Sequence, residues 1–312
     1  MKNNRSKAGL VVVVLFLYPL LTPFADSSEI LQRVDRLHEE EKHEVILSLL
    51  QNALEEAKSA EEEAGIYWRL ARAKFNQTDL ALFTGLEKSP AIEAFEQGEQ
   101  YADTAIELYR KSKTSNEVGF SRAYFWKAAN IGMTGQLRGV LNSLFMAEDM
   151  KTLLEQTVRL DPDYANSYYV LGQMYEQLPG RPLSFGDVDK AVSLGRFSLH
   201  LHEENLAAGE VNNRYYDFYT ELASHLWKRN WNTRKREREQ QQKNRSYGNT
   251  TNPLEKAFVF EGTIELQDIS DRREAARLIE WVIRKMEARG TSGIRVKKDL
   301  AKARTLHEKW GL

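Results

Sequence analysis

The sequence predicts an all-α chain, a solenoid of antiparallel helix pairs with a C-terminal helical cap. Three observations carry this expectation. From Glu29 to about Arg245 the apolar residues recur at spacings of three and four, the helical period. The alternation expected of a half-buried strand is confined to Ala257-Phe258-Val259-Phe260, which is too isolated to build a sheet. Only 7 of the 312 residues are Pro, and those after residue 25 fall at Pro90, Pro162, Pro179, Pro182 and Pro253, leaving long stretches free to run as unbroken helix.

The chain opens on Lys2, Arg5 and Lys7, followed by an apolar run from Ala8 to Leu21 and then Pro19, Pro23 and the small residues Ala25, Ser27 and Ser28. Charged, then apolar, then small is the order of a secretory signal peptide, and the run falls short of the roughly 20 residues that span a bilayer. Residues 1–27 are therefore expected to be a signal peptide, with an uncleaved anchor as the alternative. The mature protein is expected in the periplasm or cell envelope. With no Cys in the chain it is not expected to be a lipoprotein, and disulfides, thiol nucleophiles and Cys-ligated zinc are excluded.

Residues 28–245 read as the repeat domain. Ile30, Val34 and Leu37, then Val45, Ile46, Leu49, Leu50 and Leu54, mark a first pair of amphipathic helices around the charged stretch Glu39 to Lys42. Asp161-Pro162-Asp163-Tyr164-Ala165 then leads into Tyr168, Leu171, Gly172 and Tyr175, with Ala191, Ser198 and Leu201 on a second helix. This resembles a tetratricopeptide unit, in which a small residue lets two helices cross closely and aromatics fill the wedge between them. Degraded copies occur at Tyr67, Leu70 and Ala71 with Ala102, Ala105 and Leu108; at Phe125, Ala128 and Ala129 with Leu153 and Val158; and at Tyr219, Leu222, Ala223 and Leu226. Longer connections are expected within the pairs, at Asn76 to Ser89, Gln136 to Glu148 and Leu178 to Asp187. The basic run from Lys228 to Arg245 reads as a solvated helix extension, residues 246–268 as a loop or linker, and residues 269–312 as the capping helices.

Lys and Arg total 44 against 45 for Asp and Glu, so no net field draws the chain to nucleic acid, and no nucleic-acid partner is expected. The histidines are scattered, and His200 and His202 point apart on one helix, so no metal is expected. There is no Gly-rich phosphate loop, no His-Glu-x-x-His and no nucleophile elbow, so the chain is expected to be no enzyme and to need no cofactor.

Binding is the remaining class. On the first helix of each pair, the residue after the leading aromatic and those four and seven further on point to the concave side of a solenoid. These are Trp68, Arg72 and Phe75; Trp126, Asn130 and Met133; Tyr169, Gln173 and Glu176; and Thr220, Ser224 and Trp227. Aromatic area beside polar donors suits a protein partner or a small apolar ligand in a groove or inter-helix pore. The alternative is that irregular helices rotate the aromatics into the core. In the third connection, Arg181, Ser184 and Phe185 are candidate loop contacts. A homo-oligomer is also compatible with this reading.

Val34-Asp35-Arg36-Leu37-His38-Glu39 and Tyr67-Trp68-Arg69-Leu70-Ala71-Arg72-Ala73 resemble the opening of the regulator-of-microtubule-dynamics family, with Trp68-Arg69-Leu70-Ala71-Arg72 the most specific element. The Asp161-Pro162 unit and Gly180-Arg181-Pro182-Leu183-Ser184-Phe185-Gly186-Asp187-Val188-Asp189-Lys190-Ala191 resemble the T-components of TRAP transporters, which are tetratricopeptide proteins of the periplasm. Either resemblance implies a non-enzymatic adaptor. The second implies pairing with a periplasmic solute-binding protein and a pore for hydrophobic solutes.

Overall fold

The computed structural model describes residues 27–113, 115–290 and 293–312; the expected leader lies outside them except for Ser27. Among the described residues every regular element is a helix, and none is long and apolar enough to cross a membrane. Helices α1 (Ser27–Glu39) and α2 (His43–Glu56) form an N-terminal hairpin. Three antiparallel pairs follow: α3 (Ala60–Phe83) with α4 (Lys88–Ser112), α5 (Glu117–Arg138) with α6 (Val140–Leu160), and α7 (Ala165–Gln177) with α8 (Val188–Ala208). Then come α9 (Asp217–Arg229), α10 (Thr233–Gly248), α11 (Pro253–Val259), a 3-10 turn (Phe260–Thr263), α12 (Asp271–Arg289) and α13 (Ile294–Trp310).

Local chemistry sets these boundaries. Ser59 caps α3 by accepting from the Glu62 amide at 3.2 Å, Asn116 caps α5 by accepting from the Gly119 amide at 2.8 Å, and Asp187 caps α8 by accepting from the amides of Asp189 and Lys190. Between α6 and α7, Asp161 pairs with Arg122 of α5 at 2.7 Å, and the Tyr168 hydroxyl donates to the Pro162 carbonyl at 2.8 Å. One aromatic core runs from α3 to α8, through Trp68, Tyr109, Phe125, Trp126, Tyr168 and Tyr175.

Two of the three expected connections are helix instead. α3 continues through Asn76 to Phe83, because its polar side chains bond back within the helix: Asn76 donates to the Arg72 carbonyl and Thr78 to the Lys74 carbonyl, both at 2.8 Å, while Leu80 is buried. Between α5 and α6 the break is one residue, Gly139, whose φ of 104° turns the chain where a side chain would be strained. Only the third, Leu178 to Asp187, is a loop. Ala257-Phe258-Val259-Phe260 is also helical, spanning α11 and the 3-10 turn.

The C-terminal third departs furthest from expectation. The partner of α9 is α12, not the helix that follows it, so α12 closes a fourth pair, its Ala275 and Ile279 covering Leu222, Ala223 and Leu226 at the apolar end of the array. Residues 246–268 are no linker: α11 and the 3-10 turn pack on α8. The basic run is not merely solvated either, because three of its members enter a buried ionic cluster. Arg229 donates to Asp271 at 2.8 and 2.9 Å, to Glu261 at 2.5 and 2.8 Å and to Asp189 at 2.9 Å. Arg196 grips Glu274 at 2.9 Å through both terminal nitrogens and Glu261 at 3.0 Å. Arg236 pairs with Asp271 at 3.2 Å and with Glu274, and Lys243 reaches Glu261 at 2.8 Å and Asp189 at 2.5 Å. Arg196, Arg229, Arg236 and Lys243 thus face Asp189, Glu261, Asp271 and Glu274, a balanced set. Burial works to raise the Glu261 carboxyl, but Arg196, Arg229 and Lys243 hold it well below the usual carboxylate range. Charges taken out of water persist only when paired and hydrogen-bonded in this way. The cluster ties α8, α9, α10, the 3-10 turn and α12 into one body.

Candidate functional site on the inner face

The helix pairs curl until their ends meet. In the turn before α9, the Tyr215 hydroxyl donates to Glu39 at 2.8 Å and the Asn213 side chain donates to the same carboxylate at 3.1 Å, at the end of α1. The inner face left between them is filled by α13, which touches both α3 and α9. On that helix Arg295, Lys298 and Lys302 share one face at spacings of three and four. Arg295 donates to Asn76 at 3.1 Å and lies 3.7 Å from Glu41, Lys298 pairs with Asp79, and Lys302 pairs with Glu221 at 2.5 Å. At the far end Trp310 stacks flat on Trp227, with ring centroids 4.3 Å apart and planes 5° apart. Leu300 and Ala303 of this 17-residue helix are buried against Val282 and Met286 of α12, and Leu306 and Trp310 lie on the core formed by Leu222, Leu226 and Ile279, so apolar packing on α12 and α9 accompanies the polar contacts.

Behind α13 lies a cluster from α7 and α9. The His225 imidazole bonds Glu176 through Nδ1, Ser224 donates to Glu176 at 3.1 Å, and Glu221 lies beside them under Lys302. Burial works to raise the Glu221 carboxyl, but Lys302 and His225 hold it below its ordinary value. His225 fits because Gly172 and Gly195 flank it: a Cβ on either would come within 2.9 Å of the ring. Glu176, Glu221 and His225 each bring a possible ligand atom to within 4.8 Å of one another. Two carboxylates and an imidazole are donors suited to a divalent transition metal. His225 is thus not scattered, as it reads in sequence. Both carboxylates are already engaged, however, Glu176 by His225 and Ser224 and Glu221 by Lys302.

At the other end of α13, Asp35 receives Arg69 at 2.7 Å and Arg72 at 2.6 Å. Burial works against its charge, and the two guanidiniums overcome this and hold its carboxyl below the usual range. His38 and His43 stand beside them with ring centroids 5.8 Å apart. Burial first, then the nearby Arg295 and Arg72 charges, holds His43 down at about 4, and the same causes hold His38 well below its ordinary value. Further along the groove, burial and then Asp217 push the Asp299 carboxyl of α13 up to about 7.

The candidates named from sequence therefore divide. Arg72, Tyr169, Gln173 and Glu176 do lie on the side facing α13, and Ser224 and Trp227 join them. Arg72 holds Asp35, Gln173 bonds Glu221, Glu176 holds His225, and the Tyr169 ring rests on Phe218 at 4.8 Å. Trp68, Phe75, Trp126 and Asn130 present no open groove. Trp68 is buried beneath Arg69, whose guanidinium sits 4.1 Å from its ring, and Phe75 packs on Phe95 and Trp126 at 5.5 and 5.4 Å. Asn130 is fully buried, donates to the Trp126 carbonyl at 2.7 Å and fills the space opposite Gly98 of α4. The second unit is turned so that its supposed concave residues meet α3 and α4. In the loop, Arg181 is exposed, the Ser184 amide donates to the Gly180 carbonyl at 3.4 Å, and Phe185 packs inward on Tyr175 at 5.1 Å. The lining of the inner face is ionic, which does not suit an apolar solute. The sequence reading did not single out Asp79, Glu221 or His225, and it expected the last helix as part of the cap without placing it on the inner face; the spacing of Arg295, Lys298 and Lys302 was the available signal.

Residues 30–176, a little under half of the chain, match the family model described as regulator of microtubule dynamics protein 1-3. Among curated proteins, regulator of microtubule dynamics protein 1 from Bos taurus is 28% identical over 144 residues, which is 46% of this chain and 40% of that protein. The protein of the same name from Pongo abelii is 30% identical over 149 residues, 47% of this chain and 42% of that protein. The matched part thus spans about two fifths of the length of these relatives, and over α1 to α7 the chain is similar to the regulator-of-microtubule-dynamics proteins.

Proposed function

We propose that the chain is a non-enzymatic helical-repeat scaffold that binds a protein partner on its inner face. The supporting observation is that this face receives a helix through side chains from several elements: Glu41, Asn76 and Asp79 at one end, Glu221 and Trp227 at the other. A surface that orders charges and an aromatic anchor along a groove has the features of helix-in-groove recognition. The resemblance to an adaptor family points the same way. An adaptor role in periplasmic solute transport, and export by the leader, belong to this reading on the strength of the sequence pattern alone.

The test compares proteins recovered with the full chain and with two variants of matched helicity. Asp79→Lys with Trp227→Ala alters the inner face, while Phe145→Ala alters an apolar side chain on α6 that is 82% exposed. Loss of a defined partner with the first and its retention with the second is expected. A partner set unchanged by the inner-face variant overturns the reading.

A further inference from the structure

Arginines are buried in two places in this molecule, and only one of the two sets is matched by carboxylates. We propose that the seam where α1, α2, α3 and α13 meet binds a small monatomic anion, chloride being the simplest, between His38, His43 and Arg72. Three observations carry it. The first is that buried nitrogens gather there with nothing to bond: Nδ1 of His38, both ring nitrogens of His43 and Nε of Arg72 have no hydrogen-bond partner among the described residues. A neutral imidazole donates through one nitrogen, so His43 brings an N–H in need of an acceptor whichever tautomer it adopts, and the Arg72 Nε–H is another. The two imidazoles, with centroids 5.8 Å apart and planes at 56°, do not bond each other. His43 and Arg72 are 4% and 9% exposed, so their acceptor is enclosed by protein, which favours an ion over a ligand whose body must leave the site.

The second observation is the sign of the field. Arg69 and Arg72 share one carboxylate of α1, Asp35, at 2.7 and 2.6 Å, and Glu41 of the α1–α2 turn lies 3.7 Å from Arg295. The charges that act on the two rings are those of Arg72 of α3 and Arg295 of α13, both positive, so a metal cation would be repelled. The third is the contrast with the cluster around Glu261. Arg196 and Arg229, each 8% exposed, are as buried as Arg72. Burial works to lower all three guanidiniums. Glu261 and Glu274 reverse this at Arg196, and Asp271 and Glu261 reverse it at Arg229, but Asp35, opposed by Arg69, does not reverse it at Arg72. The negative charge that one cluster takes from its own carboxylates is what the other takes from solution.

The probe is chloride itself. The full-length protein is unfolded in urea at constant ionic strength while sodium gluconate is replaced stepwise by sodium chloride. The wild-type midpoint is expected to rise and then saturate, as one-site binding to the folded state requires. His43→Leu, which removes both ring nitrogens, is expected to weaken the apparent chloride affinity by about 10-fold, whereas Phe145→Ala, at an exposed position of α6, leaves it unchanged. A bound anion also lets both imidazoles hold their protons to higher pH, so the loss of wild-type stability in acid is expected to be smaller in chloride than in gluconate. Crystals of the wild type soaked in bromide are expected to show an anomalous peak within hydrogen-bond reach of His43 and Arg72, a measurement that does not depend on how well His43→Leu folds. A midpoint that does not respond to chloride, or that rises equally in wild type and His43→Leu, overturns the inference. So does density at that place without an anomalous signal, which is water bridging the nitrogens.

Discussion

Replacing Glu261 by Gln removes one charge from the buried ionic cluster with almost no change of shape. Glu261 accepts from Arg196 at 3.0 Å, from Arg229 at 2.5 and 2.8 Å and from Lys243 at 2.8 Å, and its side chain is 3% exposed. A glutamine keeps one acceptor oxygen and turns the other into a donor facing cations. About two charge-assisted hydrogen bonds are lost, each worth roughly 1.5–3 kcal/mol, and four cations are left facing three carboxylates. Breaking a buried pair from one side costs about 3–5 kcal/mol, so both routes converge on a loss of roughly 4 kcal/mol. Urea unfolding followed by far-ultraviolet circular dichroism measures it, with amide exchange locating the change in α8, α9, α10 and α12. The double variant Glu261→Gln with Lys243→Met restores charge balance and is expected to recover part of the loss. A Glu261→Gln protein within about 1 kcal/mol of wild type would refute the view that this cluster ties the C-terminal third together.

Two further outcomes follow from the geometry. His43 is depressed from its ordinary 6.5 to about 4 by burial and by the Arg295 and Arg72 charges, so its contribution to stability is complete above pH 6.5 and is lost as the pH falls towards 4. Between pH 7 and pH 5 the wild type should lose about 2 kcal/mol more than His43→Leu, and parallel urea curves for the two proteins would contradict this. Gly172→Ala places a methyl 2.9 Å from His225, which Glu176 fixes from the other side. It should cost about 1–3 kcal/mol in thermal or chemical unfolding, whereas a neutral effect would mean the α7–α9 contact is looser than described.

How far the site could be read from sequence depended on what kind of interaction fixes each residue. Tyr169, Gln173, Glu176, Ser224 and Trp227 were legible as inner-face residues, because a fixed offset from the repeat's packing positions fixes their direction on the helix. The same offset failed for Trp126 and Asn130, since the second unit rolls to seat Asn130 opposite Gly98 and Trp126 on Phe75. That roll is set by which side chains leave room for which, a matter between helices rather than within one.

The sequence alone determined the helical class and the succession of pairs, because amphipathic period, small residues at crossings and capping residues act over a few neighbours. It also carried a resemblance to the regulator-of-microtubule-dynamics proteins, on stretches that lie within the matched region 30–176. Only the tertiary structure decided that Arg229, Arg236 and Lys243 enter a buried cluster and that α12 closes the fourth pair. It also decided that α13 fills the face which the repeats leave concave. Each of these depends on partners tens to hundreds of residues apart, as Arg295 and Asn76 are, and a local pattern gives a charge its address on a helix without naming the carboxylate it will meet.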